Sequence, residues 1–277
     1  MTSVWRKTKN HAFTALAGAA ALLAIIPLVS VTWYVIEKGA PAITWEFLTH
    51  DSKHVSPGIL NSVQGTAVLV GLAILMGVPL GIFAGSWLAE HGRRGPVGAS
   101  FRVLLDAMAA TPSIVVGLFV FTVLVLTQGH YSALAGALAL AIMIVPVVAR
   151  TTEVSLLAVP DSIREASVAL GATHGRTLFR VTLPAARAGT VTGAIIAAAR
   201  VAGETAPLIF TSPLVVNYFQ GLDKPVASIP MTIFLDISQP DALHQAQAWG
   251  AALVLFVLVF GANVLVRVLT HARRSAS

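Results

Sequence analysis

The 277-residue sequence contains no cysteine, which excludes a disulfide framework, thiol catalysis and thiolate metal sites. Charge is scarce: 11% of residues are Asp, Glu, Lys or Arg, against about 25% in soluble domains. No lysine follows a glycine, so a phosphate-binding loop of the form G-x-x-x-x-G-K-[ST] is ruled out, and H-E-x-x-H and G-x-S-x-G are missing as well. No polar run is long enough for a separate soluble domain. His50 and His54, spaced i,i+4, are the one histidine pair that invites a metal reading, and a solvated loop face explains them more simply. These gaps lead us to expect no catalytic residue and no metal site.

What the chain has instead is apolar sequence. Hydrophobic residues make up 56% and the mean hydropathy is +0.81. About 20 apolar residues cross a ~30 Å hydrocarbon core as a helix. Six runs qualify: residues 12–36, 59–89, 103–126, 132–149, 188–213 and 249–269. Their Gly, Ala and Pro content suits helices that pack closely in lipid. The expected fold class is an all-α membrane protein of six transmembrane helices. The first run follows basic residues, as a signal peptide would, but its apolar length exceeds the 7–15 residues of a signal core. It reads as an uncleaved helix.

The net charge of +6 is a matter of position. Fourteen of the 18 Lys and Arg fall in the N-terminus, the second and fourth connections and the C-terminal end. Lys38, Lys53 and Lys224 fall on the other side, and Arg200 lies inside a run. The asymmetry predicts that both termini are cytoplasmic and, with them, the connection at about 160–187. It gives no reason to invoke nucleic acid. The larger opposite segments, 37–58 and 222–248, are long enough for short surface helices or a docking surface.

The connection "EASVALGATHGRTLFRVTLP", residues 165–184, is more polar than its surroundings. Ser162 and Glu165 match a capping box, Gly171 suits a left-handed stop, and Leu183-Pro184 should break the following helix. The expectation is a helix-turn-helix with Ile163, Ala166, Ala169, Leu170, Leu178 and Val181 turned inward. On these grounds an amphipathic helix at the lipid surface and a knob fitting a partner's socket are equally compatible.

The same stretch resembles the EAA loop of ABC-importer permeases: E-A-A, three residues, G, nine residues, then I-x-L-P. Glu165, Ala166, Gly171, Leu183 and Pro184 stand in register, with Ser167 and Val181 as departures. The resemblance implies that the loop couples to a separate ATPase subunit. Three further stretches resemble the PstA-type permeases of phosphate importers: "ATPSIVVGLF" (110–119), "VPVVARTTEVSLLAVPDSIREAS" (145–167) and "ARVAGETAPLIFTS" (199–212). Likeness therefore extends over nearly all of the chain from Asn61. It implies a type I ABC importer permease fold, with an N-terminal helix and first outer segment over residues 1–58 and a five-helix permease core over 59–277.

These stretches also hold most of the charge at membrane depth. Arg200, about 20 Å past Arg187 along a helix, is costly in lipid and should face the bundle interior or water. Glu204 either neutralises it or lines an anion path with it, Arg200 exchanging the carboxylate for phosphate oxygens. Arg150 and Glu153 (i,i+3) form an exit gate, link the span to the EAA loop, or make a plain interfacial pair, and the resemblance implies a role in transport. Asp106 needs an arginine partner that the sequence does not identify. Thr111 and Ser113 flank Pro112, and Thr205 precedes Pro207. Prolines so placed break helices that line transporter sites, or merely kink them.

The expectation is a permease subunit of an ATP-driven phosphate importer in a bacterial cytoplasmic membrane, with no bound cofactor of its own. The resemblance implies a PstC-like partner permease, a PstB-like ATPase dimer holding ATP and Mg, an extracytoplasmic phosphate-binding protein and surrounding lipid. The alternatives are a permease for sulfate, molybdate or phosphonate, an ion-coupled carrier and, with no visible active site, a membrane enzyme.

Overall fold

The computed structural model describes residues 2–52, 58–93, 95–213 and 216–272. Lys53, His54, Arg94, Arg273 and Arg274 lie outside the described residues, so the histidine pair is not placed. The described chain is helical, without a strand. Its elements are α1 (Thr2–Gly39), α2 (Trp45–Thr49), α3 (Leu60–Glu90), α4 (Pro96–Ala110), α5 (Ser113–Val120), α6 (Leu126–Gln128), α7 (Ala133–Leu157), α8 (Asp161–Ala169), α9 (His174–Thr177), α10 (Leu183–Ala202), α11 (Ala206–Thr211), α12 (Ile229–Asp236) and α13 (Ala242–Ala272). Single π-helical turns, Phe121–Val125 and Leu178–Thr182, join α5 to α6 and α9 to α10. Five helices are long and apolar enough to cross a membrane, and α4 with the α5–α6 stretch makes a sixth, bent by 99°.

The core forms around α7, whose apolar window is two-thirds buried. Helices α3, α10, α4, α5 and α11 all pack on it. The closest partner is α3, through Gly77, Gly81 and Gly85 on one face, set against Ala141 and Ile144, Val148, and Ala149 and Thr152. Glycines four apart stack on one helix face and let two backbones approach, the main source of helix affinity in lipid. Against α10 the register is antiparallel: Gly193 meets Thr151, and Gly189 meets Ser155. By contrast α1 is exposed along nearly its whole length and packs on α13 through its last turns, where Tyr34 and Trp249 stack edge to face at 5.0 Å.

At the end away from α8, segment 221–229 caps the core. Carbonyls of Lys224 and Leu222 accept the N–H groups of Ala133 and Leu134, at 2.8 and 3.0 Å. These donors at the start of α7 would otherwise be unsatisfied. The Ile229 N–H donates to Thr66 Oγ1 at 2.9 Å. Beside this cap, α2, α12 and the start of α13 enclose a cavity of about 240 Å³ lined by Phe47, Thr232, Asp236 and His244, among others. The two short helices lie in segments long enough for them, but α12 is no surface helix, since Ile229, Pro230, Met231 and Thr232 are buried.

Burial pushes the Asp236 carboxyl above its ordinary value of 3.8, against the attraction of His244. Asp236 also sits in the last turn of α12, where a negative charge opposes the helix dipole. A raised folded value means the neutral form stabilises. That stability is complete below the ordinary carboxylate value and is lost as pH rises through the raised one. Asp236→Asn is therefore expected to stabilise the detergent-solubilised protein at pH 7 by up to about 1 kcal/mol, read as a higher thermal midpoint. The gain should shrink at pH 4; a variant less stable than the parent at pH 7 would refute this.

Three expectations need correction. The run 103–126 is no single straight helix: it breaks after Ala110 and turns 99° before α5. Ser162 and Glu165 form no capping box, because Pro160 occupies the N-cap and puts Ser162 in the first turn of α8. Leu183-Pro184 does not stop the helix, since His174–Ala202 runs through as one span. Pro184 lies in the first turn of α10 just after the π-turn, whose wider ring accommodates a residue with no N–H to donate.

Candidate translocation site and coupling face

Both proline-flanked stretches break their helices, and the broken ends pack together. Thr111 is extended (φ −66°, ψ 128°), as a residue before proline prefers. Its hydroxyl donates to the Ala107 carbonyl at 2.8 Å, satisfying a group at the end of α4. Ser113 opens α5 beyond the bend, half-buried. In the second stretch α10 ends at Ala202, and Thr205 precedes α11 without a side-chain capping bond. Helices α5 and α11 then meet so closely that a Cβ on Gly117 would strike Pro207.

Arg200 sits in the last turn of α10, at this break. Glu204 lies beyond the helix end, so the two do not share a helical face as their spacing suggests. Arg200 Nε lies 3.8 Å from Glu204 Oε1, a loose ion pair with the guanidinium side chain 51% exposed. Its Nη atoms make no hydrogen bond among the described residues. A half-exposed guanidinium at the end of an apolar helix is open to an anion.

A second charged site lies lower on α7. Arg150 donates through Nε and Nη2 to the two oxygens of Asp106, at 3.1 and 3.0 Å, and through Nη1 to Glu153 Oε2 at 2.9 Å. Arg102 Nε donates to the other oxygen, Glu153 Oε1, at 2.7 Å. Two charges from α4, four residues apart, thus interlock with two from α7, three apart. Glu153 is buried between two arginines. From the Gly193–Thr151 contact, Arg200 stands roughly 10 Å from this cluster along the helix axes.

At the end of α7 the connection folds back as α8 and α9. Gly171 has φ +85°, the left-handed conformation that glycine adopts without steric cost. Ser167 and Thr177 hydroxyls bond at 2.9 Å and close the two arms on each other. Arg164 is turned into the protein: it donates to the Leu156 and Val159 carbonyls at 2.6 and 2.9 Å and lies 3.5 Å from Glu90. Asp161 accepts from both Arg164 and Arg93, and the Arg93 hydrogen bond, first of these, holds its carboxyl below the usual range. With this tether made, Ile163, Ala166, Val168, Ala169, Leu170 and Phe179 point outward, Leu170 at 89% exposure. The expectation that Ile163, Ala166, Ala169 and Leu170 turn inward is overturned, whereas Leu178 does pack inward on Leu156, Val159 and Ala186. Glu165 is exposed beside them, and Leu183 and Pro184 begin the rise into α10.

Residues 77–275 match the family model of binding-protein-dependent transport system inner membrane components. The chain belongs to that family. The permease is 39% identical over 268 residues to the phosphate transport system permease protein PstA of Yersinia pestis, covering 96% of this chain and 91% of that one. It is also 39% identical to the probable phosphate transport system permease protein PstA of Methanocaldococcus jannaschii, covering 95% and 94%. Among solved structures, the inward-facing MetNI methionine ABC transporter matches with a TM-score of 0.61 at 18% identity, over 78% of the permease and 94% of that chain. That likeness establishes the fold, an ABC-importer permease fold in a multi-pass membrane protein.

Sequence reasoning placed Arg150, Glu153, Arg200 and Glu204 but missed much of their company. Arg102 counted as a connection charge, although its i,i+4 spacing to Asp106 already set both on one face of α4. Arg164, Glu90 and Arg93 gave no sign of tying α8 to the permease body.

Proposed function

We propose that this chain is the PstA-like subunit of an ATP-driven importer of inorganic phosphate in a bacterial cytoplasmic membrane. Both termini and the α8–α9 arm face the cytoplasm, as the basic residues favour. Residues 59–277 form the conducting core, and 1–58 add α1 and the first outer segment. A PstC-like permease completes the path, a PstB-like ATPase dimer holds ATP and Mg, and an extracytoplasmic binding protein delivers phosphate to segments 37–58 and 222–248. The permease itself carries no catalytic residue and binds no cofactor.

The observation that carries this reading is Arg200, half-exposed and loosely paired at the α10 break. It stands in a chain that matches relatives named for phosphate over nearly their whole length. Its planar donors fit phosphate oxygens. Thr111, Ser113, Thr205 and Glu204 line the same broken region of the path, and Arg150 and Glu153 lie on the way out. On the arm, the apolar surface of Ile163, Val168 and Leu170 fills a socket of the ATPase. Glu165 borders that surface, Ala166 lets it approach closely, Ser167 and Gly171 fix its bend, and Leu183-Pro184 connects it to α10. Closure of the ATPase dimer moves this arm and alternates access.

The test is uptake of radiolabelled phosphate by the complete importer in proteoliposomes, with ATP inside and sulfate, molybdate or phosphonate in excess outside. Phosphate uptake that these leave unchanged is the expected result. Stronger competition by one of them would reassign the cargo, and uptake without the ATPase would point to an ion-coupled carrier.

A further inference from the structure

Glu153 and Asp106 both pair with Arg150, yet their positions differ in kind. The Glu153 side chain is 3% exposed and each of its oxygens is held by a different arginine, so it has no route to water. The Asp106 side chain is 58% exposed and, among the described residues, bonds Arg150 alone. A pair with one member so exposed adds about 0–1 kcal/mol to stability, too little to explain a charge set within an apolar span. Its geometry is more informative. Asp106 lies across the Nε–Nη2 edge of Arg150, the edge that binds two oxygens of a carboxylate or a phosphate equally well. Arg150 is itself 37% exposed, so a solute oxyanion can reach that edge once the carboxylate swings aside.

The swing has a structural basis. Asp106 rides on α4, of which only Gly98 and Leu105 are buried. Arg150 and Glu153 ride on the central α7. Rotation of the exposed Asp106 side chain uncovers Arg150 without moving α4, so Arg102 keeps its bond to Glu153 and Glu153 keeps Arg150 aimed.

We propose that the Nε–Nη2 edge of Arg150 is a second oxyanion-binding site, which Asp106 covers as an internal competitor. Arg102 is the positioning residue that fixes Glu153, and through it Arg150. The proposal rests on the phosphate-transport reading above and adds a station roughly 10 Å from Arg200. Site occupancy then depends on the fraction of molecules in which Asp106 is displaced, and the apparent dissociation constant is the intrinsic one divided by that fraction.

The experiment is equilibrium binding of radiolabelled inorganic phosphate to the complete importer in nanodiscs, without nucleotide. Asp106→Asn and Asp106→Ser, which both lose the competing charge, are expected to lower the dissociation constant roughly tenfold. Asp106→Glu should stay near the parent, and Arg150→Gln combined with Asp106→Asn should erase the gain. Two Asp106 variants guard against one that misfolds. If neither neutral variant binds more tightly, or if the gain survives Arg150→Gln, the proposal is wrong. A parent that transports phosphate with no Asp106 effect sinks the second site alone. A parent that transports no phosphate sinks the transport reading and this site with it.

Discussion

Gly81→Leu is expected to abolish accumulation of the assembled permease. A Cβ on Gly81 would lie 2.6 Å from Val148 Cβ, closer than real Cβ atoms come. A leucine there must push α3 off α7 along the most extensive helix contact of the fold. In water an apolar side chain could offset some of that loss by burial, but lipid is already as apolar as leucine. Overpacking costs about 1–3 kcal/mol in a core with room to adjust, and a helix backbone has little. Gly77 and Gly85 would lose their contacts along with Gly81, and α7 would lose its main support. The measure is the yield of importer complex by size-exclusion chromatography after mild solubilisation, expected to fall at least roughly tenfold. Gly71→Leu is the control, because nothing lies within 4 Å of a Cβ there. Parental yield and uptake from Gly81→Leu would show that α3 and α7 tolerate separation.

Arg200→Gln is expected to eliminate ATP-driven phosphate uptake while the complex assembles normally. The side chain is half-exposed and its one ion pair is 3.8 Å long, so little of the fold depends on it. Glutamine keeps a hydrogen-bond donor but loses the charge and the planar donor edge. Each charge-assisted hydrogen bond lost to the anion is worth about 1.5–3 kcal/mol, or roughly tenfold to a hundredfold in occupancy. Arg200→Lys should recover only some of the uptake, since an ammonium supplies charge without the two-pronged fit. Uptake at the parental rate in Arg200→Gln would assign the arginine a structural role and remove the central support for the phosphate path.

Much of the fold was legible because lipid makes demands that sequence shows directly. Span positions follow from apolar length, and Pro112 and Pro207 both mark real breaks. The size of the α4–α5 bend was not legible, because it depends on what α5 finds to pack against: Pro207, held close by Gly117. The capping box failed for a local reason, a proline two positions ahead of the proposed cap. The Leu-Pro stop failed because an inserted residue in the π-turn removes the conflict that makes proline a breaker. In the candidate site, pairs within one helix were readable, as with Arg150 and Glu153. Pairs between helices were not, since Asp106 and Arg150 are 44 positions apart and meet only once α4 and α7 are docked. Arg164 was hidden for a related reason. A basic residue beside a membrane end looks solvated until the carbonyls at the end of α7 are in place to receive it.

The π-turn also sets how motion travels. Because Pro184 does not interrupt it, the helix from His174 to Ala202 is a single lever about 40 Å long. One end carries the α8–α9 arm and the other carries Arg200. Were it hinged at Leu183-Pro184, motion of the arm would be absorbed at the membrane surface. As one rod, a tilt of about 5° about the arm sweeps the far end sideways by roughly 3.5 Å, from its length alone. That displacement exceeds a hydrogen-bond length, enough to take a guanidinium into or out of reach of an anion.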